Sequence, residues 1–456
     1  LSLIITVPAT LQQGERLALL NLYPGEDGEM MQARRAGNLL SAPLVVAGAG
    51  PAGVAAAIAA ARLGAEVWLI ERYGFPGGMA TAGLVHPWMT YYAGERPIVG
   101  GLFAEVVERL KQRGAFQHGK HLGMRHHCFD VEALKPVLLD MLVEARVYLL
   151  LHTFVAGAEA SQGRVRSLLA ASKSGMEEIR PQLVVDATGD GDVAAWAGAA
   201  YEKGRPEDGL MQPMTLHFRM GGVNRSRMPS REEMNALYES AKAEGEILCP
   251  RENLLWFETI QADQVHFNTT RVIGVDGTCR EDLTRAELES RRQTEQIVAF
   301  LQRRVPGFES AYLLQTAPQI GVRETRRILG EYLLTGEDVL GARKFADGIA
   351  LGSYPIDVHS PAGPGTIVKH LPPGDFYSIP YRCLIPRQME GLLVAGRPIS
   401  TTHEAHASTR IQPICYATGQ AAGVAAALAL KQGIRPREVS VEELRNALHQ
   451  QGAILE

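Results

Sequence analysis

Residues 44–71 read LVVAGAGPAGVAAAIAAARLGAEVWLIE, and this stretch decides the fold because it holds a complete βαβ unit. Leu44–Ala47 is an apolar run of strand length. Gly48-Ala49-Gly50-Pro51-Ala52-Gly53 follows with the spacing G-x-G-x-x-G. Gly48 permits the tight turn, Gly50 lets backbone approach a pyrophosphate, and Gly53 lets helix and strand pack closely. The helix predicted over 51–63 is nearly all alanine, as expected of one buried on a sheet with a ligand or second layer beyond it. Ala65–Ile70 is the second strand. Glu71 at its end stands where an acidic side chain accepts hydrogen bonds from a ribose 2′-hydroxyl. The bland alternative is a glycine turn that binds nothing, and strand, helix and carboxylate in this order argue against it. A free carboxylate at Glu71 opposes a 2′-phosphate, so the expected ligand is NAD or FAD rather than NADP.

With 456 residues the chain exceeds one ordinary core, and two joined domains are expected. A net charge of −4 carries no basic excess for nucleic acid. No uninterrupted apolar run reaches membrane-spanning length, since the alanine-rich segments stop at Arg62 and Lys431. The five cysteines are dispersed and none forms C-x-x-C, which argues against a dithiol centre, structural zinc or an iron–sulfur cluster and fits a cytoplasmic protein. Leu1 is not methionine, which leaves the native start open, and LSLIITVPAT has no positive n-region, so no signal peptide is expected.

Ile4–Val7 reads as an edge strand and Glu29–Leu39 as a short helix, neither with assigned chemistry. After Glu71 comes Gly74-Phe75-Pro76-Gly77-Gly78-Met79-Ala80-Thr81-Ala82-Gly83, whose glycines suit backbone passing close to a large flat ligand. Helices are expected at 100–112 and, capped by Asp130, through Ala145. Strands at 147–155 and 165–172 form a meander. Gln182–Ala187 is a strand ending in Asp186-Ala187-Thr188-Gly189-Asp190-Gly191-Asp192, at the carboxyl edge where open α/β sheets bind ligands. Asp190 or Asp192 is placed either on that ligand or as a cap of a helix over 193–199. From Tyr201 to about Tyr377 polar helices (230–244, 284–304) alternate with strands (214–220, 264–268, 315–320), an α+β insertion. Leu392-Leu393-Val394-Ala395-Gly396-Arg397 is a further buried strand, and a second alanine-rich segment runs to Lys431. Strand ends at Gly48, Gly189 and Gly396 converge on one ligand.

This order of pieces resembles the glutathione-reductase-like FAD-binding fold, and more closely the bacterial FAD-dependent oxidoreductase family. The resemblance covers about 42–435 and rests on GAGPAGVAAAIAAARLGA, GGMATAGLV, FDVEALKPVLLDMLVEA, VVDATGDGDVAAWAGA, RETRRILGEYLLTGEDV, YRCLIP, LLVAGRPIS and RIQPICYATGQAAGVAAALA. It implies an α/β chain: a three-layer ββα Rossmann domain with an inserted α+β substrate or cap domain. The division expected is an extension of unclear role at 1–41, the FAD-binding domain at 42–200, the insertion at 201–377, a return segment at 378–435 and a helical tail at 436–456.

The resemblance also implies noncovalent FAD and its contacts. Gly48, Gly50, Pro51, Ala52, Gly53, Glu71 and Arg72 would hold the ADP half, with Phe154 and Val155 at the adenine. Gly77, Gly78, Met79, Ala80 and Thr81 would line the ribityl and isoalloxazine. Ala187, Thr188, Gly189, Asp190, Ala395, Gly396 and Arg397 would flank the pyrophosphate and ribityl. Gly419, Gln420, Ala421 and Ala422 would open a helix aimed at flavin N1, whose positive end would raise the reduction potential.

For the reacting side, Ile399–Arg410 must pass near the flavin. His403 and His406 are candidate proton carriers, Arg410 a clamp for a substrate carboxylate, and Arg323 a second-line candidate from the family block. His403-x-x-His406 lacks a third metal ligand nearby, and both histidines serving only the loop and FAD is an equal alternative. His126, His127 and Cys128 are expected on an exposed loop rather than on a metal. The expected activity is hydride transfer between flavin N5 and a small carboxylate or carbonyl compound, with oxygen, a quinone, a reductase or NAD(P)H as electron partner. The rivals are a thiazole-synthase-like use of a bound dinucleotide and a nonenzymatic flavoprotein subunit of a redox complex. The helix over 284–304 offers a partner interface, and a homo-oligomer is a separate expectation with no surface assigned to it.

Overall fold

The computed structural model describes residues 39–121 and 124–456. The strand at 4–7 and nearly all of the helix at 29–39 lie outside the described residues.

The strand Leu39–Ala47 continues the apolar run of the opening motif, and parallel pairing surrounds it. In sheet order, Tyr148–Leu150, Val67–Ile70, Leu39–Ala47, Gly175–Asp186 and Leu392–Val394 run parallel. Gly175–Asp186 is longer than the sequence suggests, and its length gives it two roles. From Glu178 to Asp186 it pairs parallel with Leu39–Ala47, and on its other edge its last residues pair parallel with Leu392–Val394 while Gly175–Ile179 pair antiparallel with Arg164–Ser172, which pairs with Phe154–Ser161. The strand expected at 147–155 is therefore two strands. Tyr148–Leu150 closes the parallel sheet, and Phe154–Ser161 begins the meander after a turn that puts His152 at positive φ. The α/β class with a parallel-rich sheet is as expected.

The helix Pro51–Arg62 is buried from Ala52 to Ala60. The second alanine-rich helix is Gln412–Gln432, and the two pack backbone to backbone: a Cβ on Gly419 would lie 2.1 Å from the Ala52 carbonyl oxygen, and one on Gly423 2.1 Å from that of Ala56. Gly419–Ala422 therefore do not open a helix; they sit inside one that begins at Gln412, after Ile411. The chain prefers glycine there because nothing larger fits between the helices. Gln412–Gln432 is long and apolar enough to cross a membrane, yet 83% of its most apolar window is buried inside the protein, so it is a core helix.

Residues 218–316 build a second sheet, Trp256–Glu258, Val265–Phe267, Phe218–Gly221 and Tyr312–Thr316 in order. It is covered by the helices Arg231–Ala243 and Arg280–Arg304 around a separate apolar cluster containing Phe218, Phe267, Phe300 and Phe308. Ser230 caps the first of these helices through a reciprocal bond with Glu233. His126 and His127 lie not on an exposed loop but in the strand Met124–Phe129, both buried, His127 with Nδ1 3.0 Å from His118 Nδ1.

Candidate active site

One cavity of about 760 Å³ runs from the Gly48–Gly53 turn to the face of the second sheet. At its first end, the carbonyl of Gly50 accepts the first helical bond from Val54 N–H, and no side chain caps this helix. The first-turn N–H groups are thus open to an anion. Gly48 adopts φ +95° with Ala187 oxygen 2.6 Å from where a Cβ would stand. A Cβ on Gly50 would meet nothing nearer than Gly78 Cα at 3.9 Å, so here absence of a side chain clears space for a ligand rather than for protein. Gly53 does not reach the cavity; its Cβ would lie 1.7 Å from the Gly48 carbonyl oxygen, which is the close packing expected of it.

Glu71 is buried at the strand end, its two oxygens accepting from Ala49 N–H at 2.7 Å and Tyr73 N–H at 3.0 Å. Burial raises its pKa, and these donors oppose the rise. Arg72 and Tyr73 both reach the Gln319 amide oxygen, tying this end to the other half of the molecule. Pro51, Ala52, Phe154, Val155, Gly78 and Met79 also line the cavity. Gly77, Ala80 and Thr81 do not. Residues 78–80 form a single 3-10 turn that rotates Ala80 and Thr81 into the core, where the Thr81 hydroxyl donates to the Pro76 carbonyl at 2.9 Å, and Gly77 N–H donates to Ala49 O at 2.7 Å.

The three strand ends meet in the middle of the cavity. Ala187–Asp190 and Ala395–Arg397 border it. The Arg397 guanidinium binds Gly189 O at 2.7 Å, the Asp190 carboxylate and Val322 O, while Thr325 Oγ1 donates to Asp190 at 2.8 Å. Asp192 pairs with Arg326 at 2.8 Å, and burial plus the charges of Asp190 and Asp186 push its pKa up to about 6. Neither Asp190 nor Asp192 caps the short helix Asp192–Trp196. Asp186 anchors it instead, through Ala194 N–H at 2.8 Å and Thr188 Oγ1 at 2.7 Å, a role not visible from the strand pattern.

His403 and His406 lie elsewhere. Thr402 caps the helix His403–Thr409, which turns both rings away from the cavity and into the core. His403 Nδ1 is 2.9 Å from Glu324 Oε1, and Glu324 pairs with buried Arg327. Both ring nitrogens of His406 lack a hydrogen-bond partner among the described residues, and burial first, then the nearby arginines, keep it neutral. Gln420 is structural too, accepting Leu102 N–H at 3.1 Å. Ala421 and Ala422 are fully buried. The helix end that faces the cavity is the one at Ile411, Gln412 and Cys415. Gln412 is clamped by Trp88 Nε1 at 2.6 Å and Val85 O at 2.8 Å.

Arg323 and Arg410 do line the cavity, at its far end, and with them stand Arg251, His217, Asn268, Tyr354, Asp357 and His359, none of them singled out from sequence. Arg323 donates to Pro213 O and Thr215 Oγ1 at 2.7 Å and to Asn268 Oδ1 at 3.2 Å. Burial, then Arg410, Arg251 and Arg271, push its pKa well down. Burial would raise the Asp357 carboxyl, but His359 at 3.5 Å, Arg410 at 3.6 Å and the Tyr354 hydroxyl at 2.9 Å hold it far below the carboxylate range. Burial and the positive charges of Arg323, Arg251 and Arg219 press His217 down to about 3. Its Nδ1 meets His266 Nε2 at 2.9 Å, which leaves Nε2 for a ligand. Tyr354-Pro355-Ile356-Asp357-Val358-His359 did carry a signal, since Asp357 and His359 two apart share one face of a strand. No group of three or more metal-ligating side chains occurs among the described residues.

The family model described as FAD dependent oxidoreductase matches residues 43–448. Curated proteins give no match. Among solved structures, a geranylgeranyl bacteriochlorophyll reductase-like protein from Thermoplasma acidophilum is 12% identical over 90% of this chain and 83% of its own, with TM-score 0.45. The p-nitrophenol 4-monooxygenase of Pseudomonas putida is 10% identical over 90% and 85%, with TM-score 0.46. The anhydrotetracycline hydroxylase of Streptomyces rimosus is 11% identical over 90% and 66%, with TM-score 0.45.

Proposed function

The chain belongs to the FAD-dependent oxidoreductase family, and from that membership we propose that it is a dehydrogenase or reductase moving a hydride between FAD and a small carboxylate- or carbonyl-bearing molecule. One observation carries this reading: Arg251, Arg323 and Arg410 border the same cavity as the Gly48–Gly53 turn. We likewise read the domain as glutathione-reductase-like, supported by the strand Gly175–Asp186 that serves parallel sheet and meander at once.

The residues fit the cofactor. Gly50 leaves room for a pyrophosphate, Glu71 ends the second strand, and the cavity continues past the Gln412 helix end. FAD supplies a two-electron acceptor or donor that organic acids and carbonyl compounds need. The chain supplies the rest. Arg410 and Arg323 orient a carboxylate through planar forks. Tyr354 and His359 keep Asp357 charged, which holds Arg410 in place. His217 Nε2 carries the proton that accompanies the hydride. Val85, Trp88, Leu255 and Phe257 keep water from the apolar wall. The positive end of Gln412–Gln432 favours negative charge by roughly 0.3 to 2 kcal/mol, the role first assigned to Gly419–Ala422.

Purified protein should show flavin absorption that bleaches anaerobically with a hydroxy or amino acid from a small panel. Absence of flavin overturns the reading. Reoxidation by air separates an oxidase from a dehydrogenase or reductase.

A further inference from the structure

The charges at the far end of the cavity do not cancel. Arg271 pairs with Glu252 at 3.2 Å, and Arg410 has Asp357 at 3.6 Å. Arg251 and Arg323, both buried, have no carboxylate within 4 Å among the described residues. Arg251 donates through Nε to Asn253 at 2.9 Å, and its Nη1 is buried without a partner. Burial and Arg271 press Arg251 down to about 10, so it remains a cation at neutral pH. His217 and His359, each near 3, add no charge of their own. Arg219, a further buried guanidinium, borders a different depression beside Asp130 and Glu132. A buried charge without a counter-charge is costly, and two facing one cavity call for a ligand with two negative charges.

We propose that the substrate is a small dicarboxylate, one carboxylate met by Arg323 with Asn268 behind it, the other by Arg251. This rests on the assignment of this end of the cavity to substrate. The two guanidiniums are fixed by different segments of the chain, Arg251 beside Asn253 and Arg323 on Pro213 and Thr215. Two separately anchored forks suit two carboxylates on a short carbon chain rather than one compact phosphate, for which convergent backbone N–H groups are the usual cradle.

The test is calorimetric titration of the flavin-loaded protein, at fixed ionic strength, with malonate, succinate and glutarate against propionate, butyrate, valerate and inorganic phosphate. At least one dicarboxylate should bind about tenfold or more tightly than its chain-matched monocarboxylate and than phosphate. Arg251→Met should erase that preference while keeping flavin. Without added acid, it should melt no lower than the parent, because it removes a charge that lacks a partner. Equal binding of mono- and dicarboxylates, or tighter phosphate, overturns the dicarboxylate and leaves the oxidoreductase reading standing. A protein that prefers dicarboxylates but holds no flavin overturns the oxidoreductase reading and leaves the anion site. An Arg251→Met protein that melts well below the parent marks Arg251 as a packing element and overturns its role in the site.

Discussion

His217 Nδ1 lies 2.9 Å from His266 Nε2, and the pair spans the wall between cavity and core, His217 bordering the cavity and His266 fully buried. The contact fixes the imidazole plane and sets which nitrogen faces the cavity. His217→Asn should keep flavin and lower kcat by about 10²- to 10⁴-fold. In the free enzyme burial first, and then the nearby arginines, hold His217 near 3. A bound anion offsets those charges and raises the pKa. For oxidation with His217 as base, the acid limb of kcat should therefore lie at higher pH than that of kcat/KM. Coincident limbs would remove His217 from the chemistry.

His403→Ala and His406→Ala should leave turnover per bound flavin unchanged. His403→Ala deprives buried Glu324 of one partner and should destabilise the protein by about 1 to 3 kcal/mol. Chemical denaturation beside flavin-normalised turnover tests this; a selective loss of turnover in either variant would return the histidines to the active site.

The difference between these two histidine sets shows where sequence reasoning stops. The turn at Gly48, the carboxylate at Glu71 and the strand ends at Gly189 and Gly396 were legible, because local spacing and strand polarity alone place them. His403 and His406 were not, because a capped helix of seven residues decides which way they face, and that depends on Glu324 far away in sequence. Gly419 looked like a helix opening, yet its glycine answers to Ala52 across a helix contact. His217, Arg251 and Asn268 come from the inserted segment, where short irregular strands carry little periodicity and only the assembled sheet aims them into the cavity.

Gly50→Ala and Gly53→Ala should separate binding from folding. A methyl at Gly50 meets only open space and Gly78, so stability should change by less than about 1 kcal/mol while flavin is lost on purification. A methyl at Gly53 collides with the Gly48 carbonyl and should destabilise by about 1 to 3 kcal/mol or more. Melting curves and flavin content of the two proteins decide it; equal behaviour would mean that Gly50, too, serves packing.

Acid should destabilise this protein from the histidine range downward. Burial holds His86, His217, His266, His359 and His406 below their ordinary value of 6.5. Above 6.5 both folded and unfolded chains carry them neutral and stability is complete. As pH falls through 6.5 the unfolded chain takes up protons that the folded one refuses, each histidine costing about 1.4 kcal/mol per pH unit. Urea midpoints measured from about pH 8 to pH 5 should be level above 6.5 and then fall more steeply than one proton allows. A flat profile would mean that these side chains titrate normally.

Gly419 on Ala52 and the strand Leu392–Val394 beside Gly175–Asp186 join the two ends of the chain. During synthesis the G-x-G-x-x-G turn emerges long before its neighbours, for its sheet lacks Leu392–Val394 and its helix lacks Gln412–Gln432 until those segments follow. Nucleotide capture then waits for Gln412–Gln432, and a nascent chain stalled within the inserted segment would display the whole motif and retain no cofactor.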